Sequence, residues 1–563
     1  MPDSSLLPEL IFRSAERDPG AIALTDKGAS LPYAALQEAV TGFANGLLGL
    51  GLQRGERVAI YLEKRFETVV ASFGAPAAGG VFVPLNPLLK PEQVAYILRD
   101  CNVRVLVTSP ERLDLLAQVL PECHDLRQVV VLDSDKPLPA GGSLSYCAWR
   151  DLLAAEKRRP HRVIDTDMVG ILYTSGSTGK PKGVVLSHRN MVAGAKSVAS
   201  YLQNVADDVL LAALPLSFDA GFSQLTTAFH AGARVVLLNY LLPRDVLKAL
   251  EKERVTGLTA VPPLYIQLAQ LEWPADITEH LRYFANTGGR MPRETLDALR
   301  RRVPRTKPYL MYGLTEAFRS TYLPPEEVDR RPDSIGKAIP NAEILVLRED
   351  GSACDADEPG ELVHRGALVA QGYWNDPDKT AERFRPLPGR EAGLVLPEMA
   401  VFSGDTVRRD EEGFLYFIGR RDEMMKTSGY RVSPTEVEEV LYASGLVAEA
   451  LVYAKPDEAL GSAICAALWA SPAASGQAAQ DDVALMAHCR QHLPVFMLPR
   501  VLQWVDKPLP RSPNGKLDRD ELLRLAGAAV PRSVAGPPGA DPLGFHPRER
   551  MVRWFDPATH GWN

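Results

Sequence analysis

The residues best suited to chemistry lie in one short stretch rich in glycine and hydroxyl side chains, Tyr173 to Gly183. Its sequence is YTSGSTGKPKG, and it directly follows the apolar run MVGIL. The glycines let the backbone approach an anion, the Ser and Thr hydroxyls supply donors, and Lys180 and Lys182 supply positive charge. Most such stretches are flexible linkers. Because a strand-like run precedes this one and it carries two lysines, we predict a phosphate-binding loop.

This loop differs from the commonest nucleotide-binding patterns. A Ser or Thr follows the Gly-Lys pair of a Walker A loop, whereas Pro181 stands at that position here. The stretch also lacks the GxGxxG and GxSxG patterns. The loop is therefore predicted to bind phosphate without being a Walker A, GxGxxG or GxSxG motif.

Composition limits the functions that this loop can serve. The chain has 563 residues, which is enough for about three to four domain-sized units. Its 63 Lys and Arg residues against 70 Asp and Glu residues give a net charge of -7. No global basic field exists to hold nucleic acid or an anionic membrane, so phosphate must be held locally. The six cysteines form no CxxC pair, which argues against a disulfide framework or a structural zinc site.

Targeting and membrane signals are also missing from the pattern. The first residues, MPDSSLLPEL, lack the basic and apolar regions of a signal peptide, so we expect a cytoplasmic protein. The uncharged stretch from Thr68 to Leu89 is interrupted by proline and glycine. We predict that it forms a buried helix, a glycine turn and a strand, and not an integral membrane segment.

The hydrophobic pattern predicts the elements that position the loop. Apolar runs of strand length alternate with helical stretches, which indicates an α/β fold: a large N-terminal body of two layered α/β subdomains. Short alternating runs after about Asn341 predict a small antiparallel β region. A small mobile α+β domain should follow, and the sequence Ser433-Pro-Thr-Glu436 predicts a helix start with a capping box. We place the domains at residues 1–419 and 420–527, with an irregular tail at 528–563.

The loop resembles the phosphate-loop signature of the adenylate-forming superfamily, which includes acyl-CoA synthetases, amino-acid adenylation domains and luciferases. The resemblance covers roughly residues 10–525 and continues, in the family's order, through AGGVFVPLNP, YGLTE, GELVHRGALVAQGYWNDPDKT, SGD, GFLYFIGRRDEMMKTSGYRVSP and LPRSPNGKLDR. The stretch SFDAGFSQLTTAFHAGARVVLLNYLLPRDVL also resembles a bacterial subgroup of acyl-CoA ligases associated with exosortase-type exopolysaccharide clusters.

The resemblance implies a reaction in two steps. A carboxylate attacks the α-phosphate of ATP, with Mg²⁺ present, and a thiol then displaces AMP from the acyl-adenylate. The thiol belongs to CoA or to the phosphopantetheine of a carrier protein. The substrate would be a small carboxylic acid or an amino acid. Positioning two anions and neutralising phosphate charge requires lysine, hydroxyl groups and a metal ion. The motifs contain lysines, hydroxyl residues and a carboxylate that could hold the metal.

The resemblance also implies roles for individual residues. Tyr312 would stack on adenine, Thr315 would bind the α-phosphate, and Glu316 would hold Mg²⁺. Lys182 would face the pyrophosphate. The remaining residues implied to bind ATP or AMP are those of the loop, the walls of the pocket and the ribose site: Thr174, Ser175, Gly176, Ser177, Thr178, Gly179, Gly288, Gly289, Gly313, Asp405 and Arg420.

Three further residues match the family's moving C-terminal domain. Lys516 matches the catalytic lysine that bridges the carboxylate and the α-phosphate, although most lysines in an NGK sequence are solvated turn residues. Asp422 matches the hinge about which that domain would rotate. Gly429 would let the pantetheine arm approach the backbone.

The carboxylate pocket allows two interpretations. Phe218-Asp219 resembles a pair in amino-acid adenylation domains whose Asp binds the substrate's α-amino group, and Gly288 would line the same pocket. Alternatively, Asp219 caps the following helix through its amides. His188 is expected to organise the loop and helix rather than to act as a base. We expect Cys101, Cys123 and Cys147 to be buried structural thiols.

The resemblance leaves three functions open. The first is an AMP-forming acyl-CoA ligase, and the second is an amino-acid adenylation enzyme that loads a carrier protein. The third is a nucleotide-binding sensor without catalysis. An intact loop together with Glu316 and Lys516 argues against the sensor.

Overall fold

The structure is a computed structural model that describes residues 4–132, 138, 144–174, 181–388, 396–420, 425–427, 430–457, 461–471, 481–511 and 517–528. It divides the chain into two compact units. The large unit comprises Met1–Ser403 and Arg409–Tyr416, and the small unit comprises Gly404–Arg408 and Phe417–Asn563. Several residues named above lie outside the described residues: Ser175, Gly176, Ser177, Thr178, Gly179, Lys180, Asp422, Gly429 and Lys516.

The large unit alternates helices and strands along most of its length. Its helices are α1 (Glu9–Arg17), α2 (Tyr33–Gly49), α3 (Phe66–Ala78), α4 (Pro91–Asp100), α5 (Pro110–Leu116), α6 (Trp149–Leu153), α7 (His188–Leu202), α8 (Asp219–Ala231), α9 (Pro243–Lys252), α10 (Pro262–Ala269), α11 (Ile277–His280), α12 (Arg293–Arg302) and α13 (Pro377–Arg383). Its strands are β1 (Ile22–Asp26), β2 (Ala29–Pro32), β3 (Arg57–Tyr61), β4 (Val81–Pro84), β5 (Val103–Thr108), β6 (Gln128–Val131), β7 (Ser145–Ala148), β8 (Met168–Thr174), β9 (Lys182–Ser187), β10 (Val209–Ala212), β11 (Arg234–Leu237), β12 (Gly257–Ala260), β13 (Tyr283–Asn286), β14 (Lys307–Tyr312), β15 (Thr321–Leu323), β16 (Ser334–Ala338), β17 (Ala342–Leu347), β18 (Gly360–Gly366) and β19 (Phe384–Pro386). Strands β20 (Met399–Arg409) and β21 (Leu415–Arg420) belong partly to each unit.

The first sheet carries the phosphate loop at its edge. Within the described residues its strand order is β7-β6-β5-β3-β4-β8-β9. The neighbours from β7 to β8 are parallel, and β8 and β9 form an antiparallel hairpin at the end. The predicted parallel α/β arrangement is confirmed. Nearly continuous apolar strands suit a sheet that is covered on both faces.

The second sheet is parallel across β1, β11, β10, β12, β13 and β14. It becomes antiparallel at β15 and β16, and β17 pairs antiparallel with β18. The predicted antiparallel region after about residue 341 is confirmed by β17 and β18, but the antiparallel pairing begins earlier than predicted, at β15. The largest apolar core joins the two sheets through buried side chains of α2, α3 and α8, including Phe43, Phe73 and Phe222.

The uncharged stretch from Thr68 to Leu89 is buried inside this body. It forms most of α3, a turn at Gly79 with φ of 92°, and β4, as predicted. Among the described residues, no helix has both the length and the apolar composition needed to cross a membrane.

The small unit is an α+β domain. Its elements are β22 (Met425–Thr427), β23 (Tyr430–Val432), α14 (Pro434–Ala443), β24 (Val447–Asp457), β25 (Gly461–Ala470), α15 (Asp482–His492), β26 (Val501–Val505) and α16 (Arg519–Ala528). Strand β25 pairs antiparallel with β24 and parallel with β26.

Helix α14 begins where predicted, but its capping box is absent. Ser433 is the N-cap residue, yet its side chain makes no cap hydrogen bond, and its Oγ is buried without a partner among the described residues. Pro434 fixes the first helical φ, and Val437 and Leu441 are fully buried in the domain core. Packing and the proline therefore determine this helix start, and the predicted side-chain cap is wrong.

Candidate functional site

The phosphate loop connects the two strands of the β8–β9 hairpin. Thr174 pairs with Lys182, and Tyr173 pairs with Gly183, so the two ends of the loop are held side by side. A Cβ on Gly183 would lie 2.8 Å from the Ile171 side chain and 3.0 Å from the Tyr173 ring. This position therefore needs glycine for packing across the hairpin. Of the loop residues predicted to bind phosphate, the structure describes Thr174 and Lys182, and these two lie at the two ends of the loop.

A second segment from the GYWNDP motif lies along β9. Val185 donates its backbone N–H to Gly372 O at 2.9 Å, and Trp374 donates to Gly183 O at 2.7 Å. These bonds place the ring of Tyr373 near Lys182, whose Nζ lies 5.5 Å from the ring centroid. An ammonium group at this distance interacts favourably with the aromatic face.

The YGLTE motif supplies the third segment. Strand β14 ends at Tyr312, and a short 3-10 turn covers Thr315–Ala317. The Tyr373 hydroxyl donates to Glu316 Oε1 at 2.6 Å, and Ala370 N donates to Glu316 O at 2.8 Å. Three motifs that are far apart in the sequence thus meet in one place. We call Lys182, Glu316 and Tyr373 the edge cluster.

Tyr373 keeps its proton in the edge cluster. Burial and the neighbouring Glu316 carboxylate raise the pKa of Tyr373 far above its usual range, so the phenol stays protonated and remains a donor. The sequence interpretation missed Tyr373, although the motif resemblance includes the segment that contains it. Apart from that segment, the sequence carries no signal that Tyr373 contacts Glu316.

The edge cluster can accept a hard cation as well as an anion. The Tyr373 hydrogen bond uses one carboxylate oxygen of Glu316, and a carboxylate has further acceptor sites. No group of three or more metal-ligating side chains occurs among the described residues. A magnesium ion here would fit the usual pattern of one or two carboxylates completed by substrate phosphates and water.

Gly288 and Gly289 form a braced loop at the end of β13. Gly288 has a φ of 74°, which favours glycine. The Asn286 side chain donates Nδ2 to Gly289 O at 2.7 Å, and Thr287 N donates to Ala260 O at 3.1 Å. Hydrogen bonds therefore hold in place the loop that contains the two glycines predicted to line the pocket.

Asp219 pairs with a residue that the sequence interpretation did not consider. Its Oδ2 lies 3.3 Å from Nη1 of Arg319, and the exposed fractions of the two side chains are 14% and 2%. Of the two interpretations of Asp219, the helix cap is contradicted, because Phe218 is the N-cap of α8 and Asp219 is its first helical residue. From that position the carboxylate reaches Arg319. Its charge is still favourable near the helix N-terminus.

His188 and the cysteines have structural surroundings. His188 Nδ1 accepts the backbone N–H of Leu7 at 3.0 Å, and burial lowers its pKa to about 4. It stays neutral and holds the N-terminal segment against α7. Cys101 and Cys123 are buried and Cys147 is partly buried, all three as free thiols whose pKa values are raised by burial.

The two residues predicted to bind ribose are neighbours within the small unit. Arg420 Nε lies 3.4 Å from Asp405 Oδ1, and the Asp405 side chain is 12% exposed against 48% for Arg420. The ion pair holds a carboxylate with two oxygen acceptors beside a half-exposed cation. Such a pair can bind a diol through the carboxylate.

The chain is similar to known proteins over most of its length. The family model described as AMP-binding enzyme matches residues 11–374, and that of the AMP-binding enzyme C-terminal domain matches residues 436–516. A linear gramicidin synthase protein from Brevibacillus parabrevis is 32% identical over 525 residues, which are 92% of this chain. The chain spans only 6% of the length of that protein.

Two further similarities extend over the whole length of the known protein. A long-chain-fatty-acid–CoA ligase from Yersinia pestis is 29% identical, and the match covers 92% of this chain and 94% of the ligase. The solved structure of the anthranilate CoA ligase AuaEII with anthranoyl-AMP has a TM-score of 0.82 at 25% identity, and covers 94% of this chain and 99% of that chain. Since the family model covers more than half of the sequence, the chain belongs to the AMP-binding enzyme family.

Proposed function

We propose that this chain is an AMP-forming ligase that activates a carboxylic acid with ATP and transfers the acyl group to CoA. The observation that carries the proposal is the edge cluster, in which Lys182, Glu316 and Tyr373 meet beside both ends of the phosphate loop. A cation, a carboxylate and hydroxyl donors at one loop are the groups that a nucleotide triphosphate and its metal require.

The reaction proceeds in two displacements. A carboxylate oxygen of the acid forms a bond to the α-phosphorus of ATP, and the bond from that phosphorus to the bridging oxygen breaks, releasing pyrophosphate. The CoA sulfur then bonds to the acyl carbon, the bond to AMP breaks, and the thiol proton is released. Each step replaces one bond by another without a redox change.

The residues of the large unit bind and orient the reactants. Lys182 neutralises the departing pyrophosphate, Thr315 binds the α-phosphate, and Tyr312 stacks on adenine. Tyr373 holds the Glu316 carboxylate in one orientation. Gly288 and Gly289 line the adenine and carboxylate pocket, and their loop is braced by Asn286.

Glu316 would hold magnesium, which neutralises phosphate charge and polarises the α-phosphoryl group when bound. In the small unit, Asp405 and Arg420 bind the ribose, and Lys516 bridges the carboxylate and the α-phosphate in the first step. Asp422 serves as the hinge and Gly429 as the thiol approach. These assignments rest on the motif resemblance.

The second candidate function is amino-acid adenylation followed by loading of a carrier protein. The 32% identity with a gramicidin synthase protein favours it. Against it stands the Asp219–Arg319 pair, because the carboxylate that would bind a substrate ammonium already faces a guanidinium. The full-length match to a CoA ligase supports the first candidate.

The decisive experiment is carboxylate-dependent ATP–pyrophosphate exchange with fatty, aryl, hydroxy and amino acids, followed by thioester formation with CoA or with a carrier protein. Exchange in the presence of an acid supports the proposal, and its absence with every class would overturn it. Transfer to CoA separates the first candidate from the second. Glu316→Gln should abolish most of the exchange, and Glu294→Gln, an exposed carboxylate on α12, is the matched control.

A further inference from the structure

A small cavity lies in the large unit, beside the YGLTE segment. It is lined by residues of α7, α8 and the strands β10, β12, β13 and β14, and its volume is about 20 Å³. That volume holds one group the size of a water molecule. Its polar lining includes Ser223, Gln224, Thr227 and Arg319, and its apolar lining includes Leu202 and Met311.

Helix α8 presents polar side chains to the protein interior. Ser223, Gln224, Thr226 and Thr227 are between 0% and 5% exposed. Polar side chains in a buried helix cost free energy unless they find hydrogen-bond partners. Thr226 bonds the backbone of its own helix, and Ser223 and Thr227 lie 3.5 Å apart, oxygen to oxygen.

Two polar atoms of residues that line the cavity are buried without a partner among the described residues. They are Nε of Arg319, which is a donor, and Oε1 of Gln224, which is an acceptor. The other end of the Gln224 amide donates to Gly221 O at 2.9 Å, which fixes the side chain. Each unsatisfied buried group carries a desolvation penalty that a hydrogen-bond partner removes. A ligand that satisfies both atoms would recover that free energy on binding.

The chemistry of the two atoms selects the ligand group. A hydroxyl can accept from Arg319 and donate to Gln224, whereas an aliphatic tail can do neither. A carboxylate offers no donor to Gln224. An ammonium offers no acceptor to Arg319 and meets its positive charge. The Asp219 carboxylate neutralises the guanidinium, so a neutral polar group suits the cavity best.

The cavity adjoins the segment that the proposed function assigns to the adenylate. Met311 lines it and directly precedes Tyr312. A Cβ on Gly313 would lie 3.2 Å from the Arg319 Cα and 3.7 Å from its Cδ, so the arginine packs against the YGLTE turn. Phe318 has a φ of 56°, a rare conformation for a bulky residue, immediately before the arginine.

We propose that this cavity is a specificity site for a hydroxyl group, and that the preferred substrate is a carboxylic acid that carries a hydroxyl. Arg319 and Gln224 are the specificity-determining residues. The inference rests on the proposed function, because it concerns the acid that is adenylated.

The test measures kcat/KM for ATP–pyrophosphate exchange with matched short acids. The panel contains butyrate and hexanoate, their monohydroxy isomers, their amino derivatives, the matching dicarboxylates, and palmitate. We expect at least one hydroxy acid to exceed its unsubstituted parent, the amino acid and the dicarboxylate by about tenfold or more. Equal or better exchange with an unsubstituted, amino-bearing, dicarboxylic or long-chain acid overturns this inference and leaves the proposed function standing. No exchange with any acid overturns both.

Two variants test the residues themselves. Gln224→Leu keeps the volume and removes the acceptor, so the preference for the hydroxy acid over its parent should fall about tenfold while exchange with the parent persists. Gln267→Leu, on the exposed face of α10, is the matched control and should keep the preference. An unchanged preference in Gln224→Leu would show that the cavity holds only water.

Discussion

Two charged groups of the large unit differ in how their charges are balanced. In the edge cluster, Lys182 and Glu316 are partly exposed, and Glu316 is held by one hydrogen bond from Tyr373. In the Asp219–Arg319 pair, the arginine is 2% exposed and its charge is met within the protein. The first arrangement leaves charge for a ligand, and the second leaves only hydrogen-bonding capacity.

The two arrangements suit two different tasks, which are catalysis of the reaction and recognition of the acid. Charge that develops on phosphate during the reaction is stabilised by preorganised groups whose own charges are not already neutralised within the protein. Discrimination between acids is best achieved by buried polar atoms that a wrong substrate would leave unpaired. Substitutions in the two groups should therefore change different measurements.

The largest effect is expected from the edge cluster. Replacing Glu316 with Gln removes the charge that holds a metal ion and should lower the exchange rate by about 10²–10³-fold. The free energy of unfolding should change little, because the side chain remains isosteric. Pyrophosphate exchange and urea unfolding measured side by side check both statements. Wild-type exchange in this variant would contradict the role of Glu316.

Substitutions in the buried Asp219–Arg319 pair should mainly lower the free energy of unfolding. Arg319→Met leaves the Asp219 carboxylate without its partner and should lower the free energy of unfolding by about 3 kcal/mol. The double variant Asp219→Asn with Arg319→Met should recover most of that loss. Chemical unfolding of the two single variants and the double variant measures the coupling. Strictly additive losses would show that the pair contributes nothing.

A smaller effect on exchange is expected from Tyr373→Phe. The variant keeps the ring beside Lys182 and removes only the donor to Glu316, so exchange should fall about tenfold. The KM for magnesium should rise, since the Glu316 carboxylate loses its fixed orientation. If Tyr373 only packs, then the magnesium dependence stays that of the wild type.

The smallest effect concerns a third buried charge. Lys64 is 9% exposed, and its Nζ donates to Ala213 O at 2.8 Å and to Leu214 O at 3.4 Å. Burial lowers its pKa to about 7. The unfolded chain regains the proton between this pH and the ordinary pKa of 10.5, so the free energy of unfolding should rise with pH above 7.

The slope is at most about 1.4 kcal/mol per pH unit for one group. Lys64→Met should remove this part of the pH dependence. Urea unfolding of both proteins at several pH values between 7 and 9 gives the comparison. Parallel curves for the two proteins would assign the slope to other groups.

Much of the fold followed from local patterns. The alternation of apolar strands with helices predicted the parallel sheets, and the glycine-interrupted stretch at Thr68 to Leu89 folds as predicted. Local patterns succeed here because buried parallel strands need continuous apolar runs. The capping box at Ser433 failed, because whether a serine caps a helix depends on where the fold places its side chain.

The sequence by itself determined the family, the phosphate loop and the residue types of the reaction, because these are encoded in contiguous motifs. Only the tertiary structure decided which distant side chains meet. Tyr373 reaches Glu316 across 57 positions, and Arg319 reaches Asp219 across 100. Those pairings depend on the registers of strands that are far apart in the chain, and a single sequence carries no local signal for them.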